Sequence, residues 1–173
     1  MNTPDADTRR IGRRLGLLAT LAFLALGWVS FDGALERRED PNRNLVVAPG
    51  ASELVLQRNR AGHYLLPGEI NGRPVRLLLD TGATQVSVPA RLAAELGLQA
   101  GAPASVLTAN GAVTVRQTRI PRLAFGPFEF RDVAGHLNPG MQGDEVLLGM
   151  SALRHLEFTQ RGDTLTLRAP GSG

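Results

Sequence analysis

The 173-residue sequence contains no cysteine. This absence excludes disulfide bonds, a cysteine nucleophile and zinc sites built on thiolates, and it leaves the redox compartment undecided. The three histidines, His63, His136 and His155, show no metal-ligand spacing with one another or with acidic residues, so no metal site is predicted. Neither Ser87 nor Ser151 lies in a Gly-x-Ser-x-Gly sequence, which argues against a serine hydrolase. Any catalytic group must therefore be of another kind.

Basic side chains are unevenly distributed along the chain. Four arginines lie within residues 9–14, and without them the count of 19 basic residues falls to 15, against 16 acidic residues. The excess positive charge therefore belongs to a short N-terminal arm, residues 1–14, rather than to a binding face. Because nucleic-acid binding needs basic residues clustered on the folded domain, no nucleic-acid partner is predicted.

An uncharged run follows this arm. Residues 15–31, LGLLATLAFLALGWVSF, would span roughly 25 Å as a helix, which is near the thickness of the hydrocarbon core of a membrane. Since the arginines precede the run, the positive-inside rule predicts a single transmembrane signal anchor with a cytoplasmic N-terminus. A cleavable signal peptide, with a small-x-small site at residues 25–27, is the alternative, and both interpretations export the rest of the chain.

The remainder of the chain reads as a linker and one domain. Residues 32–53 begin with a charged, proline-containing stretch that has no apolar period, which is typical of a linker. From residue 54 to residue 169, short apolar runs alternate with turn sequences, as in an all-β domain. Hairpin turns are predicted at residues 71–72, 110–111, 126–127 and 161–163. Two short helices are predicted, at residues 89–97 and from Met150 to about His155. The fold class is therefore all-β, a small barrel or sandwich with two short helices.

One carboxylate stands out within this pattern. In residues 77–83, LLLDTGA, an apolar strand delivers Asp80 into a turn, where Thr81 and Gly82 let the backbone approach whatever the carboxylate faces. An Asp-Thr-Gly tripeptide is common by chance and also suits a plain surface turn. An acid at the end of a buried strand is costly unless it is hydrogen-bonded or partnered, so the three preceding leucines favour a functional role for Asp80.

Here the sequence resembles the retropepsin-like aspartic proteases, in which an apolar run leads into Asp-Thr-Gly-Ala. Residues 146–150, VLLGM, resemble the second element of that family, which packs beside the active-site loop and leads into a short helix. The hairpin at residues 108–111 lies between the two elements, where the family places its flap. The resemblance covers roughly residues 60 to 168 in the right order, and it is greatest to the membrane-anchored bacterial branch.

The resemblance implies a closed β-barrel and a role for each matching position. Asp80 would be the catalytic carboxylate, Thr81 would brace the two active-site loops, Gly82 would admit the substrate and Ala83 would lie beside the peptide. The flap over an extended substrate would comprise Ala109, Asn110 and Gly111. The residues supporting the active site would be Leu147, Leu148 and Gly149. No cofactor or metal is implied.

Aspartic protease chemistry needs two carboxylates that share one proton, and this chain offers a single candidate. Asp132, Asp144 and Asp163 lack a following Thr/Ser-Gly, and Asp32 adjoins the membrane segment. The second carboxylate is therefore expected from Asp80 of another subunit across a two-fold axis. The predicted function is an aspartic endopeptidase, homodimeric and anchored in the inner membrane, with its catalytic domain in the periplasm or otherwise outside the cytoplasm. The alternative is a catalytically silent retropepsin-like module for dimerisation or peptide binding.

Overall fold

A computed structural model describes residues 23–24, 39–48, 50–108 and 111–171. The chain divides into two units, Met1–Arg38 and Glu39–Gly173. In the first unit only Phe23 and Leu24 are described, both helical, so the predicted arm (1–14) and nearly all of the predicted membrane segment (15–31) lie outside the described residues. None of the helices in the described residues has the length and apolar character needed to cross a membrane.

The second unit is built almost entirely of strands. Its described residues form ten strands: β1 Glu53–Gln57, β2 Leu65–Ile70, β3 Arg73–Leu79, β4 Val86–Pro89, β5 Pro103–Thr108, β6 Gly111–Phe125, β7 Phe128–Asn138, β8 Glu145–Leu148, β9 Glu157–Arg161 and β10 Thr164–Arg168. A 3-10 turn spans Ala90–Leu92, and the α-helix α1 spans Met150–Leu153.

Seven strands form one sheet in the order β2-β3-β8-β4-β7-β6-β5, and an additional pairing of β2 with β6 closes six of them into a barrel. Inward-facing side chains alternate along each strand and fill the barrel, as Val86 and Val88 of β4 do, both with 0% of their surface exposed. The prediction of an all-β closed barrel is confirmed.

The turn chemistry determines where the chain reverses. Asn71 and Gly72 both adopt positive φ, 52° and 78°, which is the conformation that an Asn-Gly hairpin turn requires. Asn71 also donates to Leu96 O at 2.8 Å and accepts from the Arg122 N–H at 3.1 Å, so this turn is tied to two other segments. The hairpins predicted around residues 126–127 and 161–163 are confirmed by the pairs Phe125–Phe128 and Arg161–Thr164.

Helical structure is scarcer than predicted. Residues 89–97 were expected to form a helix, but Pro89 ends β4 and only Ala90–Leu92 are helical, as a 3-10 turn. Hydrogen-bonded turns carry the chain on to Gly97, whose φ is 65°. The burial of Leu96 against the barrel overrides the local helix propensity here. The second predicted helix is confirmed as α1.

The compact unit begins at Glu39, inside the segment predicted as a linker before a domain starting at residue 54. Within what we call the N-terminal strap, residues 39–48, the Asn42 side chain is 3% exposed. Asn42 accepts from the Gln57 N–H at 2.8 Å and donates to Gln57 O and Leu65 O, and Asp40 forms an ion pair with Arg76. These contacts join the strap to β1, β2 and β3, and no pattern in the charged stretch reveals them.

Candidate active site

Asp80 lies directly after β3, at the end of the segment in which β3 runs parallel to β8. Its N–H donates to Leu148 O at 3.1 Å, so the ladder between these two strands holds its backbone. The side chain is half-buried, and its Oδ1 accepts a hydrogen bond from the Gly82 N–H at 2.9 Å. The strand therefore positions the carboxylate and the following turn orients it.

The turn after Asp80 leaves little room around the carboxylate. A Cβ placed on Gly82 would lie 3.2 Å from Asp80 Oδ1, which is closer than most Cβ contacts. Thr81 and Gly82 are exposed and Ala83 is half-buried. The bracing role of Thr81 between two active-site loops requires a second subunit, and it stays a prediction.

Gly149 is the point where the second element packs against the active-site turn. A Cβ on Gly149 would lie 2.3 Å from Gln85 O and 2.7 Å from Ala83 O, both backbone atoms, so only glycine fits. The next residue, Met150, donates its N–H to Ala83 O at 2.8 Å. Residues 80–85 and 149–150, far apart in sequence, are therefore brought into direct backbone contact.

Leu148 is fully buried in the barrel core. Leu147, on the other face of β8, is half-buried. Together with Asp80 it lines an open groove on the surface of the barrel. Of the two leucines expected to support the site, one therefore packs in the core and the other forms part of the groove surface.

Ser151 has a structural role that sequence reasoning missed. Its Oγ accepts from the Val86 N–H at 3.0 Å and donates to Ala134 O at 2.8 Å. Because Val86 lies on β4 and Ala134 on β7, this hydroxyl links the start of α1 to two neighbouring barrel strands. Its position two residues after Gly149 was the only available signal, and a solvated serine would look the same in sequence.

The groove that Asp80 lines has a volume of about 700 Å³. Its lining includes Gly82 and Ala83 of the turn after Asp80, together with residues 105–108 of β5, which we call the flap arm. Along the flap arm, Leu107 is 88% exposed, an apolar side chain available to a bound molecule. An open groove between a carboxylate and a strand arm is a suitable place for an extended peptide.

The floor of this groove is more polar than the sequence indicated. It includes Ser87, His136 and Asn138, together with Leu147. Burial lowers the pKa of His136 below its ordinary value, so the imidazole is neutral at pH 7. His136 had been set aside as a scattered histidine, and only the pairing of β7 with β4 brings it to the site.

Only part of the predicted flap can be placed. Gly111 begins β6 opposite Thr108 and has a φ of 106°, while Ala109 and Asn110 lie outside the described residues. The Thr108 Oγ1 donates to Gly111 O at 2.8 Å, which ties the two strands together at the tip.

Asp80 is the only acidic residue among the described residues that line the groove. A dyad requires two carboxylates close enough to share a proton, so these residues provide one half of such a site. Elsewhere in the described part of the chain, no group of three or more His, Asp or Glu side chains is placed to hold a metal ion.

A solved structure has a similar fold. A crystal structure of a retropepsin-like aspartic protease from Rickettsia conorii is 30% identical to this chain, with a TM-score of 0.58. The match covers 68% of this chain and 90% of that one.

Two curated bacterial proteins, both described as uncharacterized, are similar in sequence. One, from the cobV 5' region of a Sinorhizobium species, is 30% identical over 92% of this chain and 75% of its own length. The other, from Rickettsia prowazekii (strain Madrid E), is 28% identical over 61% of this chain and 46% of its own length. Residues 66–155, which contain Asp80 and Gly149, match the model of the gag-polyprotein putative aspartyl proteases. The chain belongs to this aspartyl protease family, and its barrel has the retropepsin-like fold.

Proposed function

We propose that this protein is an aspartic endopeptidase that hydrolyses peptide bonds in extended segments, using two Asp80 carboxylates contributed by the two subunits of a homodimer. The observation that carries the proposal is the placement of Asp80. An apolar strand end delivers it into a tight turn, a backbone N–H orients its carboxylate, and it lines a groove together with the flap arm. This arrangement suits general acid–base chemistry on a bound peptide.

The chemistry follows from two carboxylates sharing one proton. Because two close negative charges repel each other, one Asp80 is ionised and the other is protonated. The ionised carboxylate takes a proton from a water molecule, whose oxygen bonds to the peptide carbonyl carbon while the protonated carboxyl donates its proton to the carbonyl oxygen. Transfer of a proton to the peptide nitrogen then breaks the C–N bond and releases an amine and a carboxylic acid. The Gly82 N–H keeps one carboxylate aligned throughout.

The second sheet supports a dimer. Within the described residues its strand order is β1-β10-β9, so β9 lies at an edge, and all five β9 residues are exposed. Phe158 pairs with the buried Leu167 and shares its core-facing side, yet Phe158 is 45% exposed. An unpaired edge that carries a half-covered aromatic ring is suited to pairing with another strand.

The sequence of β9, EFTQR, is complementary to itself. In antiparallel pairing centred on Thr159, Glu157 lies opposite Arg161 of the partner subunit at both ends. Arg161 and Thr164 flank a two-residue turn and form a hydrogen-bonded pair, so the polar backbone groups of Phe158 and Gln160 point away from β10. Within the described residues neither Glu157 nor Arg161 forms an ion pair, so both charges are available to a partner. Two copies would thus form one six-stranded sheet.

This pairing can be tested by exchanging charges. In Glu157→Arg and in Arg161→Glu, both symmetry-related pairs become like-charged, so we expect each variant to dimerise about tenfold more weakly. An equimolar mixture of the two variants restores opposite charges in the heterodimer and should dimerise as wild type does. Sedimentation velocity measures all three samples. The double variant Glu157→Arg/Arg161→Glu is the matched control, because it keeps both opposite pairs; equal dimerisation of all four proteins would rule out this edge.

The function itself is tested by incubating the full-length chain with a library of unstructured peptides over a range of protein concentrations. We expect cleavage that rises faster than linearly with concentration, because only the dimer holds both carboxylates. A folded, dimeric protein that binds peptides but cleaves none would instead support the peptide-binding module.

We further propose that residues 15–31 anchor the protein in the inner membrane, with the catalytic unit on the periplasmic side. The support is the uncharged run directly after the arginines of residues 9–14. Alkaline carbonate extraction of isolated membranes, followed by protease treatment of spheroplasts, tests both points. Retention in the membrane pellet with digestion of the catalytic unit is expected, whereas release by carbonate would exclude the anchor.

A further inference from the structure

A second cavity adjoins the active-site groove. It has a volume of about 610 Å³ and is lined by the glutamines Gln85, Gln99 and Gln117, by Arg119 and by the backbone around Gly101. Gln85 lines both this cavity and the groove that contains Asp80. The two spaces therefore share a wall.

The strand register places both cavities over one face of the barrel sheet. Ser87 of β4 pairs with Leu147 of β8 on one side and with His136 of β7 on the other. His136 pairs in turn with Gln117 of β6, and Arg119 lies two residues further along that strand on the same face. A continuous row of side chains thus leads from the floor of the groove into the second cavity.

The strand order sets the distance from Asp80 to the second cavity. Asp80 follows β3, and from β3 to β6 the sheet crosses four strand spacings, or roughly 19 Å at about 4.8 Å each. An extended peptide advances about 3.3 Å per residue, so about six residues cover this distance. A substrate strand with its scissile bond at Asp80 and its chain directed along the row therefore reaches the second cavity about six residues away.

The wall of the second cavity is tied to the sheet. Gly101 donates its N–H to Gln117 O at 2.7 Å, and the Gln117 N–H donates to Ala102 O at 2.9 Å. The Thr118 hydroxyl donates to Gln99 O at 2.8 Å. A Cβ on Gly101 would lie 3.0 Å from Gln117 O, so the loop packs closely on β6. The cavity is therefore a preformed site.

Its lining has a distinct chemistry. The described lining residues include three carboxamides and one guanidinium, and no acidic side chain. The Arg119 Nη1 donates to Asp132 O at 3.0 Å, and a guanidinium has five N–H donors in all, so further donors can meet a ligand. Amide and guanidinium N–H groups together match a carboxylate.

We propose that the second cavity is a distal substrate-binding site that takes an acidic side chain about six residues from the scissile bond. The proposal rests on the proposed function, since it extends the same peptide-binding groove. Because a two-fold axis relates the two subunits, each contributes one such cavity, and an acidic residue is preferred on both sides of the cleaved bond.

The test uses peptides with one cleavable core and Glu, Gln or Lys six residues away on each side. With the wild-type full-length protein we expect kcat/KM for the Glu peptide to exceed that for the Lys peptide about fivefold, mainly through KM. In Arg119→Gln the ratio should fall to about one. Arg116→Gln is the matched control, because Arg116 is an exposed arginine on the same strand that lines neither cavity, and it should keep the wild-type ratio.

Equal cleavage of the three peptides by the wild type would overturn the inference while leaving the proposed function intact. A preference for Glu that persists in Arg119→Gln would overturn the assignment to this cavity. If no peptide is cleaved, fluorescence anisotropy of the same peptides with the wild-type protein separates the two ideas. Tighter binding of the Glu peptide that depends on Arg119 would support the site although the proposed protease activity has failed, and equal binding of all three peptides would overturn both.

Discussion

Replacement of Asp80 by asparagine should abolish peptide cleavage while leaving the protein folded and dimeric. Asparagine has the same shape, and its Oδ1 can still accept the hydrogen bond from the Gly82 N–H. It can neither accept a proton from water nor donate one to a carbonyl, so we expect kcat to fall about 10³-fold or more. Peptide cleavage assays give the loss of rate, and sedimentation with circular dichroism verifies the fold and the dimer.

Asp132→Asn is the matched control. It removes the same charge at an exposed position whose φ of 53° asparagine tolerates well, so activity should persist. Measurable cleavage by Asp80→Asn at the wild-type cleavage sites would contradict the catalytic assignment.

The same substitution also tests whether one active site belongs to two subunits. A heterodimer of Glu157→Arg with Arg161→Glu/Asp80→Asn contains a single Asp80, because charge complementarity directs the pairing. A shared dyad predicts that this heterodimer is inactive, whereas the heterodimer with Asp80 in both chains is active. Half of the full activity would mean that each subunit catalyses alone.

Replacement of Gly149 by alanine should be severely damaging. The added Cβ would approach Gln85 O to 2.3 Å and Ala83 O to 2.7 Å, and these backbone atoms belong to the segment that follows Asp80. Relief of the clash must move the turn and stretch the Met150–Ala83 hydrogen bond, now 2.8 Å long. We expect a loss of about 3 kcal/mol in the free energy of unfolding, and kcat about 100-fold lower in the folded fraction.

Urea unfolding and cleavage kinetics measure the two effects. Gly143→Ala is the matched control, since a Cβ there meets the far end of the exposed Glu145 side chain, which can rotate away. Wild-type stability and activity in Gly149→Ala would show that the second element is not packed on the active-site turn as described.

Much of the fold was predictable because its signals are local. The positive φ angles that an Asn-Gly turn needs belong to the two residues themselves, so the hairpin at Asn71 and Gly72 was evident from sequence. The alternation of short apolar runs with turn sequences likewise predicted the strands. The helix expected at residues 89–97 was wrong because burial of Leu96 against the barrel outweighed a modest local propensity.

The candidate site was predictable only in part. The carboxylate and its turn lie within one short motif, so Asp80 and its neighbours could be named in advance. The polar floor was not, because Ser87 and His136 carry no signal until parallel pairing of β4 with β7 puts them side by side. The same holds for Asn42, whose three hydrogen bonds connect the strap to distant strands.

The sequence by itself determined the strand-rich character of the chain, its hairpin turns, and the delivery of Asp80 by an apolar strand into a glycine-containing turn. Each of these depends on the conformational preferences and polarity of neighbouring residues. Only the tertiary structure decided that Gly149 must lack a side chain and that Ser151 links two strands. It also decided that β9 lies at the edge of its sheet in the described residues, and that a second cavity adjoins the groove at Gln85. Those features depend on distances between residues far apart in the chain, which are set by the register of the closed barrel and the packing of its core.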